Sequence, residues 1–272
     1  MTTSNGADLA LSPRGLMQAR AFPILSVFET KTRLEVPLFQ RQYVWNLDDQ
    51  WKPMWEDIAR KFTDFLEQRA DGPVHFMGAM VLDQKLSPTG HVDRRQIIDG
   101  QQRLTTLQIF LAAMRGFCRD RQCDELADEC STYLENKGMK ADPTEAFKVW
   151  PTQLDRQQFQ DVVAASSRAT LETTYPLLRG RYARQYDPRP RMVEAYCFFY
   201  DCLTNFFIGG DDEGVVAADL PLSARLEVCF GALKTALQVV IIDLDRDDDA
   251  QIIFETLNAR GAPLLPVDLL RN

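Results

Sequence analysis

The chain has 272 residues, with 31 Lys and Arg against 39 Asp and Glu and a formal net charge of −8. That length can bury a sizeable core, and 45% hydrophobic with 26% charged residues excludes a wholly disordered chain. The acidic balance argues against nonspecific wrapping of nucleic acid, which needs surplus Lys and Arg, but leaves room for a local basic cleft. No apolar run approaches the roughly 20 residues that span a bilayer. The N-terminal MTTSNGADLALSPRGLMQAR lacks the basic-then-apolar order of a secretory signal. A cytoplasmic protein with no membrane partner is expected. The six Cys form no CxxC pair and read as reduced thiols. With only His75 and His91 present, a His-based metal centre or catalytic relay is not expected.

In chain order, residues 1–20 read as a flexible polar arm. A short helix is expected over Ile24–Thr30, then an extended segment over Arg33–Pro37. Asp48 or Asp49 can cap a strong amphipathic helix in which Trp51, Trp55, Ile58 and Phe62 recur at helical spacing. Residues 74–84 (VHFMGAMVLDQ) read as a buried strand, and the turn-rich KLSPTGHVD leads to a second strand at Arg95–Ile98, predicting a hairpin. Leu104, Leu107, Leu111 and Met114 then mark the apolar stripe of another helix. From about Gly116 to Leu237 helical spacing dominates and no strand is expected. The β-branched run Leu237–Leu244 predicts a central strand, and Asp247–Asn258 a helix with its acidic residues at the positive end. Leu264–Asn272 begins a further helix, which suggests the front part of a longer protein.

Three segments can carry chemistry. In Gln96–Thr106, a strand, a sharp turn and a helix start follow one another. Asp99 can cap that helix with Gln102 completing a capping box, and the free amides and positive dipole end suit a phosphate. Arg103 can add a bidentate donor, and Asp99 can position a hydrated Mg²⁺ or a nucleophilic water. The same pattern also serves a purely structural, well-capped helix. In Pro37–Trp45, Gln40, Arg41 and Gln42 interleave with Phe39, Tyr43 and Trp45, a mixture that suits nucleobases or phosphates and equally a strand edge with its aromatics in the core. In Phe254–Gly261, Asn258 and Arg260 project from a helix end that Gly261 can close, a pattern that a simple C-cap also explains. Neither Walker-A spacing nor GxGxxG occurs.

Taken together and in this order, QRQYVW, FMGAMVL with IIDGQQRLTTL, and FETLNARGAPLLPVDLLRN resemble the N-terminal domain of GmrSD-type restriction endonucleases. The same domain occurs in SspE-type phosphorothioate-sensing defence proteins. The resemblance spans roughly Val36–Met114 and Leu237–Asn272. It implies an α+β fold with a ParB/sulfiredoxin-like mixed core at 21–115 and 237–272, and a helical subdomain at 116–236. It also implies Mg²⁺-dependent hydrolysis of a nucleoside triphosphate, GTP favoured, within an anti-phage restriction protein. Asp99, Gln101, Gln102 and Arg103 match the catalytic element, with Asp99 the metal ligand. Gln40, Arg41, Gly100, Asn258, Arg260 and Gly261 match nucleotide-binding positions, and Tyr43 and Trp45 stand where modified DNA would be sensed. Implied partners are phosphorothioated or glucosylated DNA and a C-terminal HNH-type nuclease domain, whose His-centred motif these residues lack, with a homo-oligomer also open. Two other functions remain open: a modified-DNA binding module in which nucleotide is only a ligand, and a ParB-like nuclease.

Overall fold

A computed structural model describes residues 18–69, 72–138, 142–178, 187–209 and 215–244, together with Ile253. Strand β1 (Gln18–Pro23) leads into a 3₁₀ turn at Ile24–Phe28 and strand β2 (Thr32–Glu35). Helix α1 (Lys52–Leu66) buries Met54, Ile58, Phe62 and Leu66 at helical spacing. Its entry corrects the sequence expectation. A π turn at Leu47–Trp51 precedes it, and the cap is Asn46, whose Oδ1 accepts from the Asp49 amide at 3.1 Å. Asp48 and Asp49 lie inside the turn and not before it.

Strands β3 (His75–Lys85) and β4 (Asp93–Asp99) form the expected antiparallel hairpin. Helix α2 (Gln101–Asp120) follows at once, and every residue from Leu104 to Cys118 is buried. After α3 (Asp124–Leu134) comes β5 (Val149–Trp150), then α4 (Arg156–Ala164), α5 (Arg168–Thr174), α6 (Arg191–Ile208), α7 (Leu222–Thr235) and β6 (Leu237–Leu244).

The strands form one mixed sheet in the order β1-β6-β3-β4-β2-β5. Strand β6 lies inside it, parallel to β3 and antiparallel to β1. Because side chains alternate between faces, Met80, Leu82, Val239 and Ile241 join the main core, while Val81, Ile98, Val240 and Ile242 form a second cluster with Ile253 on the other face. The α+β class is as expected.

Two further points differ from the sequence reading. Gln18–Arg20, assigned to the arm, begin an edge strand, with Gln18 opposite Asp243 and Arg20 opposite Ile241. The supposedly strandless middle supplies β5, parallel to β2, with Leu34 N–H donating to Lys148 O at 2.8 Å and Val36 N–H to Trp150 O at 2.9 Å. Two residues are too short to show a period-two pattern. The helices of this segment share one continuous core with the sheet: Phe199 and Phe207 of α6, Leu226 and Phe230 of α7, and Leu34 and Leu82 belong to the same cluster. The predicted helix at 247–258 lies outside the described residues except Ile253, as do the arm at 1–17 and the segment 264–272.

Candidate functional site

The turn between β4 and α2 is made by Gly100, whose φ of 96° puts it in the left-handed region. A side chain there would also meet Met80 Cγ at 3.0 Å, so glycine serves both the turn and its close approach to β3. Gly100 is the N-cap of α2, and no side chain caps the helix. The expected Asp99–Gln102 capping box is therefore absent. The Asp99 side chain is exposed, and Gln102 is directed elsewhere. The leading amides of a 20-residue helix are left facing the space beyond Gly100.

That space is a cleft of about 480 Å³. One wall is Asp99, Gly100, Gln101, Gln102 and Arg103; the other is Phe39, Gln40, Arg41 and Trp45. The walls are tied together by carboxamides. Gln101 Nε2 donates to Gln40 Oε1 at 2.9 Å and to Arg41 O at 3.0 Å, and Gln40 Nε2 donates to Ile98 O at 2.8 Å. Gln102 Oε1 accepts from Val44 N–H at 2.8 Å while its Nε2 donates to Gln42 O at 2.9 Å. Gln101 and Gln102 are both buried. These glutamines hold the 40–45 segment against the helix start, so the role the structure displays for both is positioning.

Arg103 Nη1 donates to the backbone carbonyl of Ala79 at 2.7 Å. No carboxylate of the described residues lies within ion-pairing distance of it. Burial pushes the Arg103 pKa down, and Asp99 nearby opposes the shift. The group remains charged at any ordinary pH, a desolvated cation held by a neutral acceptor. Arg41, on the opposite wall, is exposed.

Tyr43 departs from its expected role. It is buried, and its hydroxyl pairs with Thr106 Oγ1 at 2.7 Å and accepts from Trp51 Nε1 at 2.8 Å, while its amide donates to Asp155 Oδ2 at 2.9 Å. Burial raises its pKa. A side chain so placed cannot touch DNA from the surface; it anchors the segment that carries Arg41 and Trp45. Tyr43→Phe is expected to destabilise the fold by about 1–3 kcal/mol, because Trp51 N–H loses its acceptor in the core. Thermal melting checks this, and an unchanged Tm would refute the anchoring role. Trp45 is half-buried and remains on the cleft wall. Asn258, Arg260 and Gly261 lie outside the described residues.

Two features escaped the sequence reading: Asp155 as the support under Tyr43, and the β3 backbone at Gly78–Ala79 beneath Arg103. A glycine inside the strand pattern FMGAMVL was the signal for the last.

The sequence model of the GmrSD restriction endonuclease N-terminal domain matches residues 24–272. The chain belongs to this family. As a GmrSD N-terminal domain it is a component of a restriction system, and the matched region includes the whole cleft and the helical segment between β4 and β6. A search of curated proteins gave no match. No helix among the described residues is long and apolar enough to cross a membrane, and no group of three or more His, Cys, Asp or Glu among them is placed to hold a metal.

Proposed function

We propose that this GmrSD N-terminal domain is a regulatory nucleoside triphosphatase, with the polyphosphate seated at the start of α2. The observation that carries the reading is Arg103, a desolvated guanidinium with no carboxylate of the described residues paired to it, beside an uncapped helix N-terminus in an open cleft. An anion placed there repays the desolvation of the cation and occupies the free amides. A cleft of about 480 Å³ is within the range of small-ligand sites. GTP is placed first among nucleotides on the family resemblance alone.

Hydrolysis of a phosphoanhydride depends mainly on positioning and charge stabilisation. Arg103 and the α2 amides hold the phosphate oxygens, and Arg41 closes on them from the facing wall. Asp99 orients the attacking water and takes its proton as the new P–O bond forms and the bridging P–O bond to the leaving diphosphate breaks. Asp99 would be the protein's carboxylate ligand to a Mg²⁺ ion, which would supply neutralisation of charge on the phosphates. The coupled effector is a nuclease domain or subunit, with modified DNA as the regulating partner.

A second reading, modified-DNA binding with nucleotide as ligand only, draws on Trp45 and on Leu38 and Phe39, which are 86% and 56% exposed beside the cleft. Phosphate release from ATP, GTP, CTP and UTP with Mg²⁺ separates the two, run with and without phosphorothioated or glucosylated DNA. Asp99→Ala is expected to lower turnover by about 10²-fold or more and to leave the melting curve in place, since the side chain is exposed. Turnover that survives in Asp99→Ala removes the role given to that carboxylate. Absence of turnover in every condition, with salt-dependent DNA binding retained, favours the second reading.

A further inference from the structure

The pairing of β3 with β6 is irregular at one place. Phe76 lies opposite Gln238, yet Ala79 lies opposite Val240, so β3 spends three steps where β6 spends two. The extra residue is a bulge at Met77–Gly78, and Gly78 has φ 105°, a left-handed conformation that side chains disfavour. The space over Gly78 is filled by Arg103. A Cβ built on Gly78 would stand 2.7 Å from both Cζ and Nη2 of Arg103 and 3.1 Å from Nε. The guanidinium therefore lies directly against the bare backbone of the bulge, and the next residue, Ala79, accepts its hydrogen bond.

We propose that the Met77–Gly78 bulge is a built seat for Arg103, and that Gly78 is a positioning residue for the anion cleft. The inference rests on the proposed phosphate-binding role of that cleft and adds the device that arms it. A guanidinium held by a carboxylate is already neutralised, whereas one held by a peptide carbonyl keeps its full charge for a ligand. A bulge does this well: it turns a carbonyl toward the cleft, and its glycine lets the planar head lie close enough to be fixed in direction. The Gly100 turn presses on the same stretch of β3, its would-be Cβ 3.0 Å from Met80 Cγ and 3.4 Å from Ala79 O. Residues 78–80 thus form a common floor under the cation and the helix start, and set the spacing between them. Any side chain at position 78 must displace the guanidinium head, the far end of a flexible side chain, from its place on the bulge.

The test uses the full 272-residue chain as wild type, Gly78→Ala, Arg103→Ala and the double variant. Modification of Arg103 by phenylglyoxal, mapped by mass spectrometry, reads whether the head group is seated. Reaction is expected to be slow in wild type and several-fold faster in Gly78→Ala, with the KM for nucleotide raised in that variant. Melting supplies a second readout: Gly78→Ala is expected to lower Tm much more with Arg103 present than in the Arg103→Ala background, where only backbone strain remains. If Gly78→Ala does not fold but the double variant does, the seat is supported; if neither folds, it is overturned. An Arg103 equally protected in Gly78→Ala, or a Tm loss equal in the two backgrounds, also overturns it. In a chain that turns over no nucleotide, labelling and melting still decide the seat, so its failure is distinct from failure of the triphosphatase reading.

Discussion

Arg103→Ala is expected to lower nucleotide turnover by about 10²–10³-fold, the loss typical of removing a preorganised donor from a developing negative charge. The site holds Arg103 rigidly, with its head on the β3 backbone and its stem on the first turn of α2. In the proposed hydrolysis, little reorganisation is then needed when charge builds on the transferring phosphoryl group. Arg103→Lys separates charge from geometry. Lysine keeps the cation but not the planar fork that rests on Gly78 and reaches Ala79 O, so turnover in Arg103→Lys should fall between wild type and Arg103→Ala. Circular dichroism and melting belong beside the kinetics, since Ala79 O loses its partner in both variants. The decisive outcome is turnover in Arg103→Ala at the wild-type level in a folded chain, which would detach this arginine from the chemistry.

The sequence pointed to residues that line the candidate cleft, but not to the contacts they make there. The segments around Gln40–Trp45 and Asp99–Arg103 do meet across one cleft, as the family resemblance implied. What local spacing could not show is that Gln101 and Gln102 spend their amides on the backbone of a distant segment. A glutamine three residues after an aspartate reads as a capping box, and only the tertiary partner at Val44 overrides that local alternative. Tyr43 was misread for a related reason. An aromatic residue beside Gln and Arg looks like a stacking surface, but its hydroxyl is where Trp51 and Thr106 find a partner in the core. A hydroxyl buried to satisfy another buried donor leaves no mark on sequence periodicity.

Fold elements were legible in proportion to their length. Strand β6 and helices α1 and α2 each bury many of their residues, and β3, eleven residues long, buries Met80, Val81 and Leu82. Strand β5 owes its existence to backbone pairing with β2 and carries no pattern of its own. The π turn before α1 is set by Asn46, whose side chain serves the Asp49 amide while its own amide donates to Gln50 Oε1 at 3.0 Å. Acidic residues just inside a helix start are favourable in either case, so the sequence could not separate a cap at Asn46 from one at Asp48 or Asp49.

Phe110→Ala should produce the largest loss of stability, about 3–5 kcal/mol, because it empties the centre of the molecule where relaxation is least available. Phe110 is 1% exposed in mid-α2; its ring meets Phe199 of α6 edge-on at 5.5 Å and Trp55 of α1 at 6.5 Å. Three helices therefore lose a common contact at once. Against a usual total of about 5–15 kcal/mol, this is a large fraction, and it should lower Tm by roughly 6–20 °C. Chemical denaturation should show a lower midpoint with an unchanged slope. The same variant asks what the cleft requires of its scaffold. Phe110 stands about 13 Å along α2 from the helix start, while the cleft is tied locally by the two glutamines, the β3 floor and the Tyr43 anchor. Below its melting temperature, Phe110→Ala should therefore keep a wild-type KM for nucleotide. A KM that rises in step with the lost stability would instead mean that the packing of α2 as a whole, beyond the local ties at its first turn, holds Arg103 and the helix amides in register.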